Sequence, residues 1–85
     1  MASYKLLIKP SAAKELERLS LKDRGRVVAR INGLGAMPRP VGCEKLSGQE
    51  NFRIRQGNYR VLYSIDDILQ SVTIVKIAHR REVYR

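Results

Sequence analysis

The dipeptide Gly57-Asn58 stands between two runs rich in branched, aromatic and arginine side chains, Asn51 to Gln56 and Tyr59 to Asp66, and it constrains this chain more than any other feature. A Gly-X pair in a two-residue connection suits a type II′ turn, whose backbone twist matches that of the strands it joins. So short a connection also sets the register. Gln56 faces Tyr59, Arg55 faces Arg60, Ile54 faces Val61, Arg53 faces Leu62 and Phe52 faces Tyr63. Side chains alternate along a strand, so Phe52, Ile54, Val61, Tyr63 and Ile65 fall on one side, which reads as core. Arg53, Arg55 and Arg60 fall together on the other, where the Arg60 side chain is expected to be exposed.

The rest of the chain supplies what that core side must pack against. Residues 4 to 9 read as a strand that Pro10 ends. Ser11 is placed to cap a helix in which Ala12, Leu16 and Leu19 recur at helical spacing. Ser20 with Asp23 three residues on has the form of a capping box. Val27, Val28, Ile31 and Leu34 then make the apolar stripe of a second helix, with Gly33 and Gly35 marking its end. Ala36 to Glu50 carries Pro38, Pro40, Gly42 and Gly48 and reads mostly as loop, with room for a short edge strand near Lys45 and Leu46. A last strand, Gln70 to His79, is apolar on both sides, as a central strand is. On its two sides Lys76, Ala78 and Arg80 alternate with Val75, Ile77 and His79, and the pattern does not say which set faces the helices. The predicted fold is α+β in the order β-α-α-β-β-β, a two-helix hairpin on one face of a mainly antiparallel four-stranded sheet. Residues 1–85 form a single domain, since 85 residues can bury one core and not two.

Composition narrows the partner. Lys and Arg number 17 against 8 acidic residues, a formal net charge of +9. Such a surface attracts polyanions, phosphate backbones first among them, although an acidic protein would satisfy it too. No run of about 18 apolar residues crosses a membrane. The N-terminal residues pass directly into a strand without the apolar stretch of a signal peptide, and the lone Cys43 has no disulfide partner, so the cytoplasm is the expected compartment. One His and one Cys with no carboxylate cluster do not make a zinc site. No Walker loop, dinucleotide fingerprint or serine elbow is present, and no cofactor is expected.

Two guanidinium groups directly opposite each other destabilise a sheet unless something anionic meets them, and the arginine fork fits two phosphate oxygens. The plainer alternative is a solvated face whose arginine stems cover apolar surface. Cutting RNA without a metal needs a base for the 2′-hydroxyl, an acid for the leaving 5′-oxygen and cations beside the phosphate. Arginine supplies the cations and is a poor base. His79, flanked by Arg80, is the natural acid or base, and Tyr84 is a secondary donor or a stacking platform; each has a structural alternative, His79 as a strand-end group and Tyr84 as an anchor for the tail. Lys45, Lys76, Arg81 and Arg85 are further candidates for phosphate contacts.

Three strings together resemble the RelE/ParE superfamily of toxins of type II toxin-antitoxin systems, and more closely its RelE branch. They are Lys45-Leu46-Ser47-Gly48 leading to Phe52-Arg53-Ile54-Arg55, then Gly57-Asn58-Tyr59-Arg60-Val61-Leu62-Tyr63-Ser64-Ile65-Asp66-Asp67, and finally His79-Arg80-Arg81-Glu82-Val83-Tyr84. The resemblance implies a ribosome-dependent mRNA endonuclease that enters the ribosomal A site and has catalysis spread over basic residues and a terminal tyrosine. By position, Arg53 and Arg55 fall where such toxins often carry lysines. Arg60 matches the arginine of the Tyr-Arg-Val strand, and Arg80 or Arg81 with Tyr84 matches the closing motif. Arginine does not readily replace a lysine acting as base, so either His79 takes that role or the reaction relies on positioning. The resemblance also implies a cognate antitoxin with an acidic binding segment, and contact with operator DNA only through that antitoxin. A ParE-like inhibition of DNA gyrase by binding, and a noncatalytic basic nucleic-acid module, are the competing functions. The nuclease reading requires the three arginines to stay grouped and not to be captured by carboxylates of the same chain.

Overall fold

The computed structural model describes residues 3–46 and 51–79. Its elements run β1 (Lys5–Ile8), α1 (Pro10–Glu17), α2 (Leu21–Ala36), β2 (Glu44–Lys45), β3 (Asn51–Gln56), β4 (Tyr59–Asp66) and β5 (Ser71–His79). The sheet has five strands in the order β1-β5-β4-β3-β2. Every neighbouring pair is antiparallel except β1 with β5. The fifth strand is the two-residue β2, so the expected four-stranded sheet gains one short edge.

Both helix starts follow from local chemistry, and one differs from expectation. Lys9, not Ser11, is the N-cap of α1, and Pro10 takes the first helical position. A first-turn N–H has no intrahelical acceptor, so a residue without one loses nothing there. Ser20 caps α2 as expected, its hydroxyl accepting from the Asp23 N–H at 3.2 Å. Ser20→Ala should lower stability by about 1 kcal/mol, read as a fall in Tm with activity per folded molecule unchanged; an unaltered Tm would remove the cap from the account. Arg24 ties the helices together, its Nη2 donating to the Glu17 carbonyl at 2.7 Å and the Leu19 carbonyl at 3.2 Å.

The glycines do not stop α2. The helix runs through Gly33 and Gly35 to Ala36 and ends at Met37, which precedes Pro38. The ring of a proline disfavours the helical region for the residue before it, so Pro38 is the terminator. Gly35 serves a close approach instead. A Cβ there would sit 3.2 Å from the Tyr4 carbonyl oxygen, and the Gly35 carbonyl accepts from the Tyr4 N–H at 2.7 Å. The helix is thereby stitched to the start of β1.

The core lies between the helices and one side of the sheet: Ala12 from α1, Val27, Ile31 and Leu34 from α2, and Ile54, Val61, Tyr63, Val72, Ile74 and Ile77 from the strands. Ile54, Val61 and Tyr63 are completely buried, while Phe52 and Ile65 are half-buried and pack against them at the rim. Tyr63 stacks on Phe52 at 5.8 Å between centroids and donates its hydroxyl to the Pro38 carbonyl at 2.8 Å, anchoring the proline-bearing loop. Burial pushes the Tyr63 phenol well above its ordinary range. Arg39 lies 5.3 Å over the Phe52 ring and binds Asp67 with both terminal nitrogens, at 3.1 and 2.9 Å. That guanidinium, with the Tyr4 hydroxyl at 2.7 Å, holds the Asp67 carboxyl down to about 2.

Candidate nucleic-acid interface

The β3-β4 hairpin has the expected register throughout, from Phe52 opposite Tyr63 to Gln56 opposite Tyr59, with Arg55 opposite Arg60. Gly57 takes φ +60 and Asn58 is not among the positive-φ residues, the signature of type II′ rather than I′. Arg53, Arg55 and Arg60 therefore share the side of these strands that faces away from the core.

Their environments differ. Arg55 is exposed, whereas Arg60 is only 3% exposed, against the expectation of an exposed side chain. The reason is its strand. β4 has neighbours on both sides, so Arg60 lies between Arg55 and Ala78, a small residue that leaves room for an arginine stem along the sheet. Arg53 is partly buried and pairs with Glu44 of β2 at 3.1 Å. An acid thus joins a face that showed none in the hairpin alone. Glu44 is 60% exposed, and an exposed pair of this kind is worth roughly 0–1 kcal/mol, too little to withhold Arg53 from a phosphate.

The other predicted cations are not all brought to this face. Lys45 pairs in register with Phe52, which puts it on the core-facing side of the sheet rim. Lys76 is opposite Leu62 and so belongs to the arginine side, but its ammonium reaches Glu15 of α1 at 2.8 Å. The other Glu15 oxygen accepts from the Ile77 N–H at 2.9 Å. β1 pairs only with Ser71 to Ile74, and beyond it this carboxylate serves the Ile77 N–H on the open edge of β5. Burial pushes the Glu15 carboxyl up, but the Lys76 ammonium and the Ile77 N–H, with Arg18, outweigh it and hold the group below its ordinary 4.5. The unfolded chain consequently binds the Glu15 and Asp67 protons more tightly. Stability from both carboxylates is complete above about pH 4.5 and is lost as pH falls through their folded values, about 2 for Asp67. Melting curves should show Tm falling across this window, and Glu15→Gln should flatten the fall; an identical slope in the variant would exclude Glu15.

His79 is not on the arginine face. It pairs with Tyr59, and with Ile77 and Val61 it looks toward the helices. A bulge decides this. Leu62 faces Lys76 while Tyr63 faces Ile74, so Val75 has no partner on β4 and the alternation reverses there. Below the bulge Val72 and Ile74 enter the core; above it Ile77 and His79 point the same way, and Lys76 and Ala78 move to the arginine side. The alternation of β5 left the side of His79 open, and the bulge places it opposite to the arginines. The His79 ring meets Tyr59 edge to face at 5.4 Å. Arg80, Arg81, Tyr84 and Arg85 lie outside the described residues.

The bulge and this turn create a feature that sequence reasoning missed. Beside the hairpin tip the start of α2 closes a cleft of about 330 Å³ whose walls include Asp23, Arg26, Gln56, Asn58, Tyr59 and His79. The signal was present in part, since Asp23 and Arg26 are neighbours at helical spacing, but nothing local says that the start of α2 meets the hairpin tip.

Comparison with known proteins agrees with the geometry. Residues 6–84 match the family model described as ParE toxin of type II toxin-antitoxin system, parDE. Among curated proteins, Toxin RelG of Mycobacterium tuberculosis is 34% identical over 96% of this chain and 97% of its own length. Toxin RelE of the same organism is 36% identical over 96% of this chain and 87% of its own. Among solved structures, the toxin-antitoxin complex RelBE2 of M. tuberculosis contains a chain that superposes with TM-score 0.83 at 28% identity, covering 93% of this chain and all of that one. The archaeal RelE-RelB complex of Pyrococcus horikoshii gives 0.82 at 28% identity, over 91% and 94% of the two chains.

Proposed function

This chain belongs to the ParE toxin family of type II toxin-antitoxin systems, and from that premise we propose that it is a RelE-like, ribosome-dependent mRNA endonuclease silenced by a cognate antitoxin. The observation that carries the reading is the pairing of Arg55 with Arg60 on the side of the hairpin away from the helices, with Arg53 beside them. In the reaction the 2′-hydroxyl oxygen bonds to phosphorus while the bond to the 5′-oxygen breaks, leaving a cyclic phosphate and a 5′-hydroxyl. Negative charge accumulates on the phosphoryl oxygens, and forked donors already in place lower that barrier most. Arg55 and Arg60 clamp the phosphate, and Arg53 exchanges Glu44 for it. Arg80, Arg81 and Tyr84 are proposed to complete the site from the segment after β5. With His79 turned to the other side, catalysis rests on positioning and charge stabilisation, and the ribosome and mRNA contribute the remaining groups.

Support for the antitoxin comes from the relatives solved as RelB complexes and from the +9 charge, which suits an acidic segment. Contact with promoter DNA would run through the antitoxin. The match to the ParE model favours one second reading, inhibition of DNA gyrase by binding. Translation in a cell extract separates the two. Messenger cut within codons only when ribosomes are present is the expected result, whereas intact messenger with arrested supercoiling would replace the nuclease reading with the gyrase one.

A further inference from the structure

We propose that the cleft between the start of α2 and the hairpin tip is a nucleobase subsite, which takes an amino-bearing base of the RNA strand whose phosphate lies on the arginines. This inference rests on the nuclease reading for its substrate and goes beyond it in assigning a second, separate site. The cleft lies next to the first one. Along β3, β4 and β5 the row Gln56, Tyr59, His79 directly follows the row Arg55, Arg60, Ala78, and by alternation it faces the opposite way. A strand that crosses the arginine row and turns over the end of the sheet meets this opening with its next base. At about 330 Å³ the cleft is at the small end of ligand pockets, which run roughly 300–1,000 Å³.

Its chemistry selects a base rather than a phosphate. Asp23 in the wall repels an anion but accepts hydrogen bonds from an exocyclic amine. Among the described residues the Tyr59 hydroxyl meets Asp23 at 3.4 Å, a long contact, and a carboxylate has room for several donors. Arg26, one helical turn on, offers donors to ring nitrogens and carbonyls. Gln56 and Asn58 add amides, and the Tyr59 and His79 rings give the flat walls on which splayed RNA bases stack. An acceptor and a donor side by side match the edges of adenine, cytosine and guanine, whose amine gives the carboxylate two donor hydrogens, whereas uracil gives it only the single imide N–H between its carbonyls.

Nucleosides test this without engaging the phosphate clamp. The whole chain is titrated with adenosine and with uridine while the His79 ring is followed by NMR. Adenosine should shift the ring signals saturably and bind about tenfold tighter than uridine. Arg26→Ala should weaken adenosine about tenfold, and Asp23→Asn should reduce the preference over uridine to about twofold, while Arg55→Ala leaves adenosine binding intact. Absence of saturable binding in the folded chain, equal affinity for the two nucleosides, or loss in Arg55→Ala without loss in Arg26→Ala would each overturn the proposal. The outcome is independent of the cleavage assay: a chain that binds adenosine but cuts no messenger loses the nuclease reading and keeps the subsite, and the reverse result removes only the subsite.

Discussion

Arg60→Ala is expected to lower ribosome-dependent cleavage by about 10²–10³-fold, the usual loss when one preorganised donor to a developing charge is removed. Because Arg60 is only 3% exposed, the variant should also melt at a lower temperature, and the two effects have to be separated. Arg55 does so. It lies directly opposite on the same side of the hairpin, but is exposed, so Arg55→Ala should lose cleavage by a comparable factor with Tm hardly changed. Rates normalised to the folded fraction from melting curves decide the matter. Full activity in Arg55→Ala together with loss in Arg60→Ala would mean that Arg60 acts through folding alone, and the phosphate clamp would be withdrawn.

The second large effect concerns packing. Tyr63→Ala is expected to cost about 3–5 kcal/mol, as removal of a buried aromatic ring does. Small domains have only about 5–15 kcal/mol in total, so much of the variant should be unfolded near body temperature. Its ring is fully buried and stacks on Phe52, and its hydroxyl holds the proline-bearing loop through the Pro38 carbonyl. Tyr63→Phe separates these contributions. It keeps the ring and should cost about 0.5–1.5 kcal/mol by removing the part-buried hydrogen bond to the Pro38 carbonyl. Thermal melts of the two variants, with antitoxin binding as a second readout, check the claim. A Tyr63→Ala protein as stable as the parent would show that the hairpin is not seated on the helices as described.

The strands were readable because their signals are local. Gly57-Asn58 specifies a turn type, the turn specifies the register, and the register puts three arginines on one side and Ile54, Val61 and Tyr63 on the other. The cap at Ser20 is equally local, an oxygen three residues from the N–H that it accepts. The misreadings have one common origin. Gly33 and Gly35 look like a helix stop because isolated glycine weakens a helix, yet packing of Leu34 and the close approach of Gly35 to β1 carry α2 through them. Arg60 looked exposed because its alternation is known from the hairpin, whereas its burial depends on β5 as well.

Sequence alone was sufficient for the α+β class, the paired helices, the hairpin and its grouped arginines, since each follows from interactions between residues close together in the chain. The sides of β5 belonged to the tertiary structure. Val72, Ile74 and Ile77 can all enter the core only if the strand carries an extra residue at Val75, and that bulge turns His79 toward α2 and Lys76 toward the arginines. Plain alternation after Val72 and Ile74 would bury Lys76, but nothing within β5 says that the extra residue falls at Val75. The choice is made where β5 meets β4 and the helices, by the free energy of burying Ile77 instead of Lys76.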